Sequence, residues 1–265
     1  MKVRLNNFTI NYTERGLPQG SPIIFIHGFP FNHSMWDPQM MALPNHYRAI
    51  TYDIRGHGLS EIGDGQYTID LFVEDLIALL DHLVIDRTTV CGLSMGGYIA
   101  LRALERYPER FNALILSNTR AESDSNETKV KRFATFKMIK ERGVSVFAEQ
   151  FVQSIFSDDT KSKNDALVNS FTRLIQTNSP LGICGTILAL ASRTDLLAGL
   201  SQIAIPTLIL VGEHDTLTPV SASRTMREHI QRSTLKVISH AAHISNLENP
   251  IEFNKVLVEF LNEVP

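Results

Sequence analysis

The chain has 265 residues, of which 43% are hydrophobic and 20% charged, and its 25 Lys and Arg against 28 Asp and Glu leave a net charge of −3. That length holds a full core in one large or two small domains, and an ordinary apolar content with little net charge excludes an intrinsically disordered chain. The near balance of charge gives no support to a nucleic-acid partner, which leans on clustered Lys and Arg, or to an acidic patch for cationic partners.

Cys91 and Cys184 are the only cysteines. They allow no disulfide framework and no Cys-based metal spacing, and they fit a reducing compartment. Residues 1–7 carry no apolar signal core, and no run approaches the roughly 20 apolar residues of a membrane helix. The expectation is a soluble, cytoplasmic monomer or homodimer with no membrane partner.

In chain order, Phe8, Ile10 and Tyr12 alternate after an Asn6-Asn7 turn, which predicts an antiparallel hairpin with Val3 and Leu5. Solidly apolar runs follow at Ile23–Ile26, Tyr47–Tyr52, Thr88–Cys91, Ala113–Leu116, Thr207–Val211 and Leu235–Ile238. Runs without polar alternation suit parallel strands covered on both faces. Between them, Ile69, Phe72, Val73, Leu76, Leu80 and Leu83 recur at helical steps behind a Thr68 N-cap. The last helix repeats the logic: Asn249 caps, Pro250 opens, and Phe253, Val256, Leu257, Phe260 and Leu261 form its stripe. Strand and helix in alternation imply a mostly parallel sheet wrapped by helices, the α/β class.

The alternation breaks between Arg120 and Thr194. Four helical patterns, at 130–141, 144–156, 164–176 and 180–192, succeed one another there without a convincing strand. This reads as a helical cap inserted in a catalytic core, which divides the chain into 1–119 (core), 120–194 (cap) and 195–265 (core). A plain surface insertion is the alternative.

The sharpest chemical signal is Gly92-Leu93-Ser94-Met95-Gly96, set between a strand and a helical run. Such a turn forces the serine into a strained conformation, and small neighbours let strand and helix pass closely. The hydroxyl then stands above the sheet at a helix N-terminus, whose partial positive charge favours an oxyanion. A serine needs a base within hydrogen-bond reach. Of nine histidines, His243 lies deep in the loop after the last strand, whereas His240 reads as a loop residue, and His46, His82 and His229 fall on surface stretches. The imidazole in turn needs a carboxylate. Asp215 and Glu213 both follow the penultimate strand, and Asp215, further past its end, is the better placed. The order Ser94, Asp215, His243 is that of hydrolases built on such an elbow. His27-Gly28-Phe29-Pro30 follows the first buried strand. From that turn the Phe29 amide, with that of Met95, would receive an oxyanion, and His27 reads as a buried brace of the loop.

Together with Asp53-Ile54-Arg55-Gly56-His57-Gly58-Leu59-Ser60 and Gly212-Glu213-His214-Asp215, these motifs resemble the α/β-hydrolase superfamily over nearly the whole chain. The resemblance implies an eight-stranded sheet with the cap between strands six and seven, and a structural role for 53–60, His57 included. Met35-Trp36-Asp37-Pro38-Gln39 and Ala242-His243-Ile244-Ser245-Asn246-Leu247-Glu248 are similar to 3-oxoadipate enol-lactonases and related carboxylesterases. The loop 29–34 departs from the lactonase form and looks like that of a generic esterase.

The expected function is hydrolysis of small-molecule carboxylic esters or lactones through an acyl-enzyme on Ser94, with no cofactor or metal. Trp36, Phe133 and Phe136 are candidates for an apolar substrate pocket, and Arg120 for a substrate carboxylate. Core packing is the competing role for the aromatics, and for Cys91 and Cys184; solvent exposure is the competing role for Arg120. The alternatives are a serine-dependent C–C bond hydrolase, a perhydrolase, or a slow-turnover ligand receptor on the same scaffold. An aspartate-nucleophile dehalogenase or epoxide hydrolase conflicts with serine at the elbow.

Overall fold

The computed structural model describes residues 1–264. Asn6 and Asn7 take φ of 47° and 63°, the left-handed pair that a two-residue hairpin turn requires and asparagine tolerates. They join β1 (Lys2–Leu5) to β2 (Phe8–Gly16), with Leu5 opposite Phe8. Then come β3 (Ser21–Ile26), β4 (Tyr47–Tyr52), β5 (Thr88–Leu93), β6 (Phe111–Ser117), β7 (Thr207–Gly212) and β8 (Ser233–Ile238). They form one sheet in the order β1-β2-β4-β3-β5-β6-β7-β8, antiparallel as far as β2 against β4 and parallel thereafter.

Every residue of β5 and β7 is buried, the physical reason their sequences lack alternation. At the sheet edge β8 exposes Lys236 and Val237. Helix α1 (Asp37–Ala42) follows a 3₁₀ turn over His33–Trp36; α2 (Ile69–His82) and α3 (Met95–Arg106) pack on each other. Thr68 caps α2 by accepting from the Leu71 amide at 3.0 Å. The chain closes with α9 (Val220–His229), the short α10 (Ser245–Glu248) and α11 (Pro250–Glu263), where Asn249 accepts from the Glu252 amide. Before them, between β6 and β7, run α4 (Asn126–Arg142), α5 (Val144–Ile155), α6 (Asp158–Lys163), α7 (Asp165–Gln176) and α8 (Pro180–Ala191).

That insert differs from the expected pattern in two ways. Helix α6 is an additional element; it buries no residue, so no apolar periodicity announces it. Helix α4 starts at Asn126 and buries only Ile139, while Val130 and Phe133 face solvent.

Three sets of contacts tie the insert to the carboxyl edge of the sheet. The carbonyl of Ile155, at the end of α5, accepts from the His243 amide at 3.0 Å. The Glu248 carboxylate accepts from the Ser157 amide at 2.8 Å and the Ala242 amide at 2.7 Å. Asn178 donates to the Pro30 carbonyl at 2.9 Å. No single helix among the described residues is long and apolar enough to cross a membrane.

Phe253 of α11 is fully buried against Trp36, with ring centroids 6.3 Å apart. Phe253→Ala is expected to cost about 3–5 kcal/mol, transfer and cavity terms together. Urea unfolding measures it; an unchanged midpoint would contradict this packing.

Candidate active site

Ser94 lies between β5 and α3 with φ 53° and ψ −112°, a conformation that costs on the order of 1–3 kcal/mol and persists only where its surroundings hold it. Its amide donates to the Ser117 carbonyl at 2.9 Å; its carbonyl accepts from the Thr119 hydroxyl at 2.8 Å and the Gly97 amide at 2.9 Å. Strand and helix meet too closely here for side chains. A Cβ on Gly92 would lie 2.2 Å from the Gly96 carbonyl oxygen, and one on Gly96 would lie 2.2 Å from that of Ile26.

The structure brings Ser94, His243 and Asp215 into one hydrogen-bonded line. His243 Nε2 is 2.9 Å from Ser94 Oγ, and His243 Nδ1 is 2.9 Å from Asp215 Oδ2. With Nδ1–H donating to the carboxylate, Nε2 is the acceptor that faces the serine hydroxyl. Asp215 and His243 are both buried. Asp215 further accepts from the Leu217 and Thr218 amides, the Thr218 hydroxyl at 2.7 Å and Asn118 Nδ2 at 2.9 Å. Burial alone would raise the Asp215 carboxyl. The charge and hydrogen bond of His243, with those from Asn118 and Thr218, outweigh it and hold the group at about 2.

Sequence reasoning does not reach Asn118, Thr218 or Ser245. Asn118 follows β6 with φ 45°. Its side chain also donates to the Ala242 carbonyl and accepts from the Ser245 hydroxyl at 2.6 Å, so it joins the Asp215 and His243 loops. The one available signal is an asparagine just past a strand end, where its tolerance of the left-handed region is useful.

Glu213 and His240 are exposed and bonded to each other through the His240 amide, away from the line. The segments 35–39 and 242–248 prove to be two halves of one contact. Asn246 donates to the Met35 carbonyl at 2.9 Å and to Gln39 Oε1 at 3.0 Å, while Gln39 donates to the Asn246 carbonyl at 3.0 Å. This buried pairing braces the loop that carries His243.

The amides of Phe29, after β3, and Met95, the first residue of α3, have no protein acceptor among the described residues. Behind Phe29, His27 and His57 are buried with rings 5.3 Å apart. His27 Nδ1–H donates to the Gly28 carbonyl, and its Nε2 accepts from the Ile54 amide at 3.0 Å. Desolvation lowers His27 to about 4 and, with repulsion from His27, lowers His57 to about 3. Asp53 accepts from Asn11, from the Leu59 amide and from both the His33 amide and ring, and these bonds overcome its burial to hold it at about 2.

A cavity of about 430 Å³ opens above Ser94, Met95 and His243, walled by Phe29, Phe147 and Phe151. A groove of about 490 Å³ beside Leu101, Leu104 and Leu200 contains none of the three aligned residues. The pocket candidates divide. Arg120 lines the cavity and donates to the Leu217 carbonyl at 3.0 Å. Trp36 does not line it: it is fully buried between Phe25 and Phe253, a core residue. Phe133 is 54% exposed on the outer side of α4, and Phe136 packs against the core with Lys140 over its ring, so both stand outside the cavity. Of the aromatics in the insert, Phe147 and Phe151 reach it; they are one turn apart on α5, with ring centroids 5.3 Å apart. Cys91 and Cys184 are buried and away from the cavity.

A parallel sheet that presents a serine at a strand-helix elbow, with an imidazole and a carboxylate from later strand ends, defines an α/β hydrolase architecture. The chain belongs to that family: a model of the alpha/beta hydrolase fold matches residues 21–250. It is 35% identical to 3-oxoadipate enol-lactonase 2 of Acinetobacter baylyi, over 92% of this chain and 90% of that protein. It is 32% identical to 3-oxoadipate enol-lactonase 1 of the same organism, over 93% and 91%. Among solved structures, a thermophilic esterase from Thermogutta terrifontis, malate bound, superposes with a TM-score of 0.94 at 29% identity, over 99% of this chain and 98% of that one. The enol-lactonase from Burkholderia xenovorans LB400 superposes with 0.93 at 28% identity, over 99% and 100%. The similarity to enol-lactonases and esterases therefore holds in sequence and in structure.

His27 and His57 set an acid limit on stability. Each is neutral in the fold and takes up a proton on unfolding, so its contribution is complete above pH 6.5 and is lost as pH falls through the window down to about 4 for His27 and about 3 for His57. At about pH 5 the loss is on the order of 2 kcal/mol per ring. Melting temperature against pH should fall across this window, and His57→Gln should make the fall shallower; an unaltered slope would contradict a neutral His57.

Proposed function

We propose that the chain hydrolyses small-molecule carboxylic esters or lactones with Ser94 as nucleophile, His243 as general base and acid, and Asp215 as the carboxylate that orients His243. The observation that carries this reading is the imidazole held at 2.9 Å from both Ser94 Oγ and Asp215 Oδ2. His243 removes the hydroxyl proton as Ser94 Oγ attacks the carbonyl carbon. The negative charge moves to the carbonyl oxygen, and the amides of Phe29 and Met95, together with the N-terminus of α3, receive it. As the tetrahedral adduct collapses, His243 protonates the departing alkoxide and leaves the acyl group on Ser94. Water, deprotonated by the same imidazole, then releases the acid. A lactone passes through the same steps, and its alcohol remains attached to the acid it frees. The enol-lactonase and esterase relatives support this reaction class.

Residues 120–194 act as the cap in this reading. Phe147 and Phe151 of α5 close the cavity over Phe29, which keeps bulk water from the acyl group and makes each amide donor worth more.

Ser94→Ala is expected to fold normally and to lose at least about 10³-fold in kcat/KM, and Asp215→Asn to lose about 10⁴-fold in kcat through the wrong imidazole tautomer. A fluorophosphonate probe should label the unsubstituted chain and not Ser94→Ala. Labelling that survives the substitution would remove Ser94 from the mechanism.

A further inference from the structure

The charge of the cavity is opposite to that of the chain. Against a net charge of −3 for the whole sequence, its walls carry four cations, Arg120, Lys131, Arg132 and Arg193, and one carboxylate, Asp124. Two of these cations, Arg132 and Arg193, are held in place by Asp124. Asp124 and Arg193 are each only 4% exposed at the side chain, and Arg193 Nη1 meets Asp124 Oδ1 at 2.5 Å. Arg193 is otherwise spent: it donates to the carbonyls of Leu190 and Glu122 and lies 4.2 Å over the Tyr98 ring. Arg132 differs. Its Nε and Nη2 are held by the same Asp124 carboxylate, and that fork leaves Nη1 without an acceptor among the described residues. One carboxylate thus ties the segment after β6, helix α4 and Arg193 in the segment after α8 together, and fixes the guanidinium of Arg132 on the cap wall of the cavity. Ser94 lies on the floor formed by the sheet.

A cation on the wall and a nucleophile on the floor suit a substrate with two different ends. We infer that Arg132 is a specificity-determining residue that binds a carboxylate at the end of the substrate remote from the scissile carbonyl, and that Asp124 is the positioning residue that aims it. The inference rests on the hydrolase reading and adds a charge requirement to it. Arg120, with two of its three nitrogens free of acceptors among the described residues, and Lys131 add attraction at longer range. A bidentate or charge-assisted contact to a partly buried guanidinium selects by a factor of about 10 over a neutral end.

The test compares kcat/KM for monomethyl succinate and monomethyl glutarate with that for methyl butyrate and methyl valerate, which match them in acyl length. The unsubstituted chain should prefer the charged esters by about tenfold, and the preference should shrink several-fold at about 0.5 M salt, where screening is short-ranged. Arg132→Gln should lower the ratio about tenfold through a raised KM for the charged esters. Lys236→Gln removes the same charge from the exposed edge strand β8 and should leave the ratio unchanged.

Asp124→Asn separates positioning from net charge. It makes the cavity more positive, so charge alone predicts a lower KM for monomethyl glutarate, whereas loss of the fork predicts a higher one. Equal rates on charged and neutral esters, an unchanged ratio in Arg132→Gln, or a lower KM in Asp124→Asn would overturn the inference while the hydrolase reading stands. Failure to cleave either kind of ester would overturn the inference, and the hydrolase reading with it if the fluorophosphonate probe also fails to label the chain. Should Asp124→Asn not fold, because it leaves two clustered arginines unpaired, the Arg132→Gln ratio decides alone.

Discussion

The site depends on one close approach of backbone to backbone. Helix α3 sits so near β5 and β3 that Gly92 and Gly96 admit no Cβ, and this contact obliges the chain at Ser94 to turn through a positive φ. The strain is local, and the bonds that hold it are not: Ser117 and Thr119, from the end of β6, secure the amide and carbonyl of Ser94. Loosening that packing would let the serine relax toward an ordinary helical start, away from His243. The same geometry leaves the Met95 amide free at the helix N-terminus, so the strain that exposes the hydroxyl also exposes a donor.

Sheet order turns distant sequence into one row of groups. β3, β5, β6, β7 and β8 are consecutive neighbours, and the loops after them supply Phe29, Ser94, Asn118, Asp215 and His243 in that order. Asn118, in the middle, bonds to Asp215 and to the His243 loop. The helical insert leaves the sheet within this row and returns to it. Its contacts to the His243 amide and to Glu248 mean that the position of the imidazole and the position of the insert are set together. Cavity shape and imidazole placement are therefore not independent variables in this chain.

Buried charge is managed differently in the two halves of the site. On the sheet side, carboxylates are kept ionised by many donors, as with Asp53 and Asp215, while His27 and His57 are kept neutral by desolvation. On the side of the helical insert, two arginines share Asp124, which leaves an excess of positive charge facing the cavity. The first arrangement braces the row of groups above the sheet; the second gives the pocket a polarity that the composition of the whole chain conceals.

Much of this was legible in the sequence because it is local. Apolar runs without alternation mark β5 and β7, since both faces are covered; Thr68 and Asn249 mark helix starts, since a side-chain oxygen must replace the missing carbonyl; and Gly92-x-Ser94-x-Gly96 marks the elbow, since only small residues permit it. What depends on a helix's surroundings was not legible. Helical spacing nominated Phe133 and Phe136 as pocket residues, yet which face of α4 turns inward is decided by its neighbours, and α5 supplies the aromatic wall instead. Trp36, near the site in sequence pattern, is drawn into the core by Phe25 and Phe253. Asn118 carries no motif at all, because its partner Asp215 lies 97 residues away, and the bond from Arg193 to Asp124 spans 69 residues. The sequence alone determined the strand-turn-helix that holds Ser94 and the order of its partners; only the tertiary structure decided which side chains complete the row and line the cavity, because those choices are made by contacts between segments that no local spacing records.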